Sequence, residues 1–135
     1  ATPMAVTLKL RSFNTTLPGS YSITIAASNG ESNYTQNVLV KVIKYLIVTV
    51  GTSFLPQNLT VVKGSTVTWL RLNGILSQSD DGSHDVDFST GISLISPTLN
   101  QYESWNFSFT SSGEYSYYCK YHPFMTGEIE VTPSN

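Results

Sequence analysis

Apolar residues recur at every second position over short stretches of this chain: Tyr21, Ile23, Ile25 and Ala27; Leu46, Val48 and Val50; Val67 and Trp69; Trp105, Phe107 and Phe109; Tyr115, Tyr117 and Cys119; Ile129 and Val131. A period of two places such side chains on one face of a β-strand, and no stretch keeps the spacing of an amphipathic helix. Turn-forming dipeptides punctuate the runs at Pro18-Gly19, Asn29-Gly30, Lys63-Gly64, Asn73-Gly74, Asp81-Gly82, Ser112-Gly113 and Thr126-Gly127. Short strands at this spacing predict an all-β fold, a Greek-key β-sandwich of antiparallel type.

A chain of 135 residues holds one ordinary domain and an appendage, not two complete sandwiches. Residues 45–135 carry alternating runs for about seven or eight strands, a full sandwich. Residues 1–44 form an N-terminal β-rich extension of about three more strands. The stretch from Leu17 to Ala27, followed by Val38 to Val42, has a P-G-x-Y-x-I-x-I-x-A pattern that resembles the closing strands of Ig-like repeats in prokaryotic surface proteins. A few strands with an apolar face are not stable alone. The extension is therefore expected to pack on the sandwich or to pair with another copy in a homo-oligomer.

Charged residues make up 12% of the chain, about half the share usual in soluble domains, and Ser, Thr and Asn supply the polarity instead. A net charge of -2, with few and scattered Lys and Arg, gives no electrostatic footprint for nucleic acid. The longest apolar run, Val38 to Val50, is interrupted by Lys41 and Lys44 and falls short of the roughly 18 residues of a membrane span. The opening Ala1-Thr2-Pro3 has neither the basic nor the apolar part of a secretory leader. The composition suggests an exported, sheet-rich protein whose leader or anchor lies outside this sequence. N-x-[ST] sequons at Asn14, Asn33, Asn58 and Asn106 fit that reading, although a chain rich in these residues produces them by chance.

The candidate chemistry is concentrated in one string, Cys119-Lys120-Tyr121-His122-Pro123-Phe124-Met125. Cys119 is the single cysteine, which excludes an internal disulfide and leaves the sulfur for other chemistry. The C-x2-H-x2-M spacing brings a thiolate, an imidazole and a thioether together. The other of the two histidines, His84, supplies a fourth donor from upstream. Two imidazoles and a thiolate in a plane with a weak axial thioether form a set that suits both oxidation states of copper. Cys, His and Met taken singly are ordinary core residues. Together they point to one copper per chain, held by His84, Cys119, His122 and Met125, with water as the alternative to Met125 in the axial position. Structural zinc sites use no thioether. A cysteine nucleophile needs an accessible thiolate, whereas Cys119 ends a buried strand face, so no catalytic residue is expected.

The segment Tyr115 to Gly127 resembles the cupredoxins of the plastocyanin and amicyanin type, with the short C-x2-H-P-F-M loop of amicyanins. Leu59 to Trp69 is similar to the family's G-x-x-V-x-W strand, and His84-Asp85-Val86-Asp87-Phe88 to its H-N-V-x-F ligand strand. The resemblance covers about residues 45–133. It implies a type 1 copper protein that carries single electrons between redox partner proteins outside the cytoplasm. In the family the loop histidine, here His122, lies near the surface, and Pro123 and Phe124 are expected to rim it. The alternative is a copper redox protein with an open axial site that reacts with a small molecule such as nitric oxide.

One position departs from the family. Asp85 stands where an Asn side chain usually ties the two ligand loops, and a carboxylate lacks the amide donors. Three outcomes are open: the carboxylate lowers the reduction potential, is protonated, or turns outward. Asp80, Asp81, Asp85 and Asp87 gather around His84 and read as solvated loop charge. Tyr115, Tyr117, Tyr118 and Tyr121 read as strand packing rather than an electron-hopping route.

Overall fold

The computed structural model describes residues 17–72 and 82–134. Every regular element among them is a β-strand, and none is a helix. The chain divides into two compact units, Ala1–Lys44 and Tyr45–Asn135.

In the first unit β1 (Gly19–Ser28) and β2 (Asn33–Val42) form an antiparallel hairpin, in register from Gly19 opposite Val42 to Ser28 opposite Asn33. The turn is built by Asn29, whose Oδ1 accepts hydrogen bonds from the backbone N–H groups of Glu31 and Ser32 at 3.0 and 2.8 Å. Asn side chains favour such local bonds, and Gly30 supplies the positive φ of 89° that the turn needs. The third strand expected in this extension falls outside the described residues.

The second unit contains β3 (Tyr45–Val50), β4 (Ser53–Leu55), β5 (Asn58–Val62), β6 (Thr66–Arg71), β7 (Asp87–Phe88), β8 (Ser104–Ser108), β9 (Gly113–Cys119) and β10 (His122–Thr132). They form two four-stranded sheets, ordered β4-β3-β6-β8 and β5-β10-β9-β7. Strand β3 pairs parallel with β6 and β10 parallel with β5, while the other pairings are antiparallel. Such non-sequential neighbours make the connectivity a Greek key.

The period of two is realised as burial. Tyr115, Tyr117 and Cys119 on β9 and Met125, Gly127, Ile129 and Val131 on β10 face inward, against Ile47, Val67 and Trp69 of the facing sheet. Trp69 lies at the centre, edge-on to Phe88 at 6.0 Å and to Tyr117 at 5.6 Å between ring centroids. Such edge-to-face pairs add modestly to the large area that each ring removes from water.

One turn expectation fails. Thr126-Gly127 is not a turn but lies inside β10, paired with Tyr118 and Tyr117. The glycine there serves close packing: a Cβ at 127 would overlap the phenol ring of Tyr117. Only a bare backbone lets that ring lie flat across its neighbour.

Candidate metal centre

Cys119 is the last residue of β9, and the alternation that buries Tyr115 and Tyr117 buries it fully as well. The chain then returns at once as β10. Its register jumps from His122 opposite Cys119 to Thr126 opposite Tyr118, so that Pro123, Phe124 and Met125 bulge from the ladder. Pro123 has no N–H to give to a ladder, which favours the bulge at this point. The bulge lets His122 and Met125 share the end of the sheet with Cys119. The Met125 side chain is buried, and His122 is partly exposed.

His84 arrives just before β7, and β7 pairs with β9 in the same sheet. His84 therefore reaches the site from beside β9, not from the facing sheet. Its segment is stitched to residues 94–99: the N–H of Leu99 donates to the His84 carbonyl at 2.8 Å, that of Ser96 to the Val86 carbonyl at 2.9 Å, and that of Phe88 to the Leu94 carbonyl at 3.0 Å. Buried Arg71 donates from Nη1 to the carbonyl of Leu99 at 3.1 Å, fixing the residue that fixes His84.

The outcome is a compact donor cluster. Cys119 Sγ lies 3.7 Å from His84 Nδ1 and 3.9 Å from His122 Nδ1. All three ligand atoms fall within 4.8 Å of one another, the spacing of groups able to hold one metal ion. The two imidazoles lie 5.0 Å apart at 37° between planes. Burial raises the Cys119 thiol pKa, while backbone N–H groups of Asp85, Tyr121 and His122 directed at the sulfur pull it back. Those donors stabilise a thiolate without a nearby cation. A soft sulfur, two imidazoles and a buried thioether match the donor preference of copper rather than that of a hard cation.

The copper-binding plastocyanin/azurin family profile matches residues 46–132. The chain belongs to this family of copper-binding proteins. It is thus a cupredoxin, with copper as its cofactor, and the cluster at the end of β9 is arranged like a type 1 copper site. It is 32% identical over 77 residues to amicyanin of Paracoccus denitrificans, covering 54% of this chain and 53% of the relative. It is 28% identical over 82 residues to amicyanin-alpha of Methylorubrum extorquens, covering 58% and 63% respectively. The chain thus spans a little over half the length of these curated relatives. In fold it is similar to a purple cupredoxin from Nitrosopumilus maritimus, with a TM-score of 0.57 at 24% identity over 66% of this chain and 100% of that one. It is also similar to a copper-containing nitrite reductase from Thermus scotoductus, with a TM-score of 0.59 at 26% identity over 82% of this chain and 26% of that one.

The surroundings of the cluster correct two readings of charge. Asp85 does not turn outward: it is fully buried, and its Oδ1 accepts a hydrogen bond from the Lys120 backbone N–H at 2.8 Å. The two ligand segments are therefore tied together through a carboxylate. Its Oδ2 lies 3.1 Å from Lys120 Nζ. Asp87 is no free loop charge either, since its Oδ2 accepts the Tyr118 hydroxyl at 3.0 Å, which raises the Tyr118 pKa. Asp80 and Asp81 lie outside the described residues. The other tyrosines have structural places: Tyr115 and Tyr117 in the core, and Tyr121 with its hydroxyl 2.8 Å from Thr98 Oγ1.

Sequence reasoning missed Lys120, Arg71 and Gly82. Lys120 had a readable signal, because Asp85 and Lys120 are opposite charges that each directly follow a candidate ligand. Gly82, with a φ of 83°, sits beside His122, where a Cβ would lie 3.7 Å from Cε1. Phe124 is 72% exposed, and its ring stands edge-on to that of His122 at 6.1 Å.

Proposed function

We infer that this protein is a one-electron carrier, in which His84, Cys119, His122 and Met125 would hold the copper. The observation that carries the reading is the convergence of Sγ and two Nδ1 atoms within 4.8 Å at a buried sheet end. Copper supplies a one-electron couple, and a fixed donor set suited to both oxidation states keeps the reorganisation on electron transfer small. Burial of Cys119 shields the thiolate from water and oxidants. His122, the partly exposed donor, gives the shortest route to a docked redox protein. The apolar rim of Pro123 and Phe124 suits a small, short-lived contact with it. Burial of Met125 disfavours an open site that would admit nitric oxide.

The similarity to amicyanins supports an extracytoplasmic location, with redox proteins as partners. Stopped-flow mixing of the copper-loaded protein with a one-electron reductant and then an oxidant tests the reading. Full bleaching and full recovery of the thiolate-to-copper band are expected over many cycles. Azide or nitric oxide added to the oxidised form should leave that band unchanged, and a shifted band would favour the open-site alternative.

A further inference from the structure

We propose that the ion pair of Asp85 and Lys120 is a positioning element that cross-links the two ligand segments while keeping the copper centre electrically balanced. The inference deepens the reading of the cluster as a copper site and rests on it. Asp85 immediately follows His84, and Lys120 immediately follows Cys119, so the pair couples two segments 35 positions apart in sequence. Asp85 binds the opposite segment twice: Oδ1 accepts the Lys120 N–H at 2.8 Å, and Oδ2 meets Lys120 Nζ at 3.1 Å. An asparagine could supply the first of these contacts. The second needs the charge.

A buried carboxylate beside a thiolate would, alone, favour oxidised copper through its negative potential, and its burial would be costly. Lys120 cancels much of that field from the surface side. Its side chain is 46% exposed and is steadied by the ring of Tyr121, with Nζ 4.9 Å from the centroid. Tyr121 is in turn held by Thr98. The ammonium is thus kept over the carboxylate rather than left free in solvent.

Removing one charge or the other should move the reduction potential in opposite directions. Asp85→Asn keeps the carbonyl acceptor for the Lys120 N–H and leaves the cation uncompensated. The ratio of reduced to oxidised copper at fixed poise is expected to rise on the order of tenfold, equivalent to about 59 mV for one electron. Lys120→Met leaves the anion uncompensated and should lower that ratio, by several-fold less because the ammonium is partly screened by solvent. The double variant should return towards the parent, and Lys120→Arg should stay with it.

The readouts are spectroelectrochemical titration and the thiolate-to-copper band, which should keep its position in Asp85→Asn. Shifts of the same sign in the two single variants, or no shift in either, would overturn the proposal and leave only a neutral loop tie. If Lys120→Met fails to hold copper, Asp85→Asn decides alone: a raised potential supports the proposal and an unchanged one overturns it. A parent protein that takes up no copper would overturn the reading of the site itself, and with it this one.

Discussion

The hairpin of β1 and β2 and the sandwich of β3 to β10 are written in the same alternating pattern, yet they use it differently. Along the hairpin no described side chain from Leu17 to Lys44 is buried, with Leu39 at 73% and Tyr34 at 65% exposure. In the sandwich the same alternation delivers Trp69, Tyr117, Ile129 and Cys119 to an interior with almost no solvent contact. Alternation and a good turn pair the two hairpin strands, while the sandwich buries its alternating faces between two sheets. The donor cluster depends on that difference. Cys119 continues the face on which Tyr117 is clamped between Trp69 and Gly127, so packing fixes the sulfur before any metal arrives.

The contrast can be broken by substitutions on the two sides of it. Trp69→Ala should cost the sandwich about 3–5 kcal/mol, since it removes the ring at the centre of the aromatic cluster. Denaturant unfolding followed by Trp105 fluorescence measures it, and a loss below ~1 kcal/mol would contradict the assigned core. Gly127→Ala should cost about 1–3 kcal/mol by driving a methyl group into Tyr117. It should also broaden the copper spectrum if the core holds the sulfur in place.

The chemistry of the buried sulfur gives a third expectation. Burial raises the Cys119 pKa, so near neutral pH the apo protein carries a thiol, and copper must displace its proton. Apparent copper affinity should therefore fall as pH falls, by roughly tenfold per pH unit below the thiol pKa. Competition with a chelator of known proton dependence reads the slope, and a flat profile would mean that the sulfur is already ionised. In the hairpin, Leu39→Ser should change unfolding of the copper-binding unit by no more than ~0.5 kcal/mol and leave its spectrum unaltered. A loss as large as that of Trp69→Ala would erase the distinction between the two units.

Much of this is legible in the amino-acid sequence. Strands announced themselves because one face of each must be apolar, and the donors because Cys and His are scarce in this chain. What the sequence hid was relational. Thr126-Gly127 has the composition of a turn, and only the ring of Tyr117 packed over it explains a glycine in mid-strand. The sheet to which His84 belongs was not evident, because β7 is two residues long and its segment is held largely by bonds to residues 94–99. Asp85 looked like loop charge because its partner follows Cys119, far along the chain, and only the matching places of the two charges after the ligands hint at the pairing.

The central claim is that one sulfur and two ring nitrogens from this sheet end hold a single copper. X-ray absorption at the copper edge of the loaded protein, beside a Cys119→Ser variant, tests it most directly. The account expects one metal per chain with a short sulfur shell and two nitrogen donors, and expects both the sulfur shell and the intense colour to vanish in the variant. A parent spectrum with only nitrogen and oxygen neighbours, or a variant indistinguishable from the parent, would contradict it.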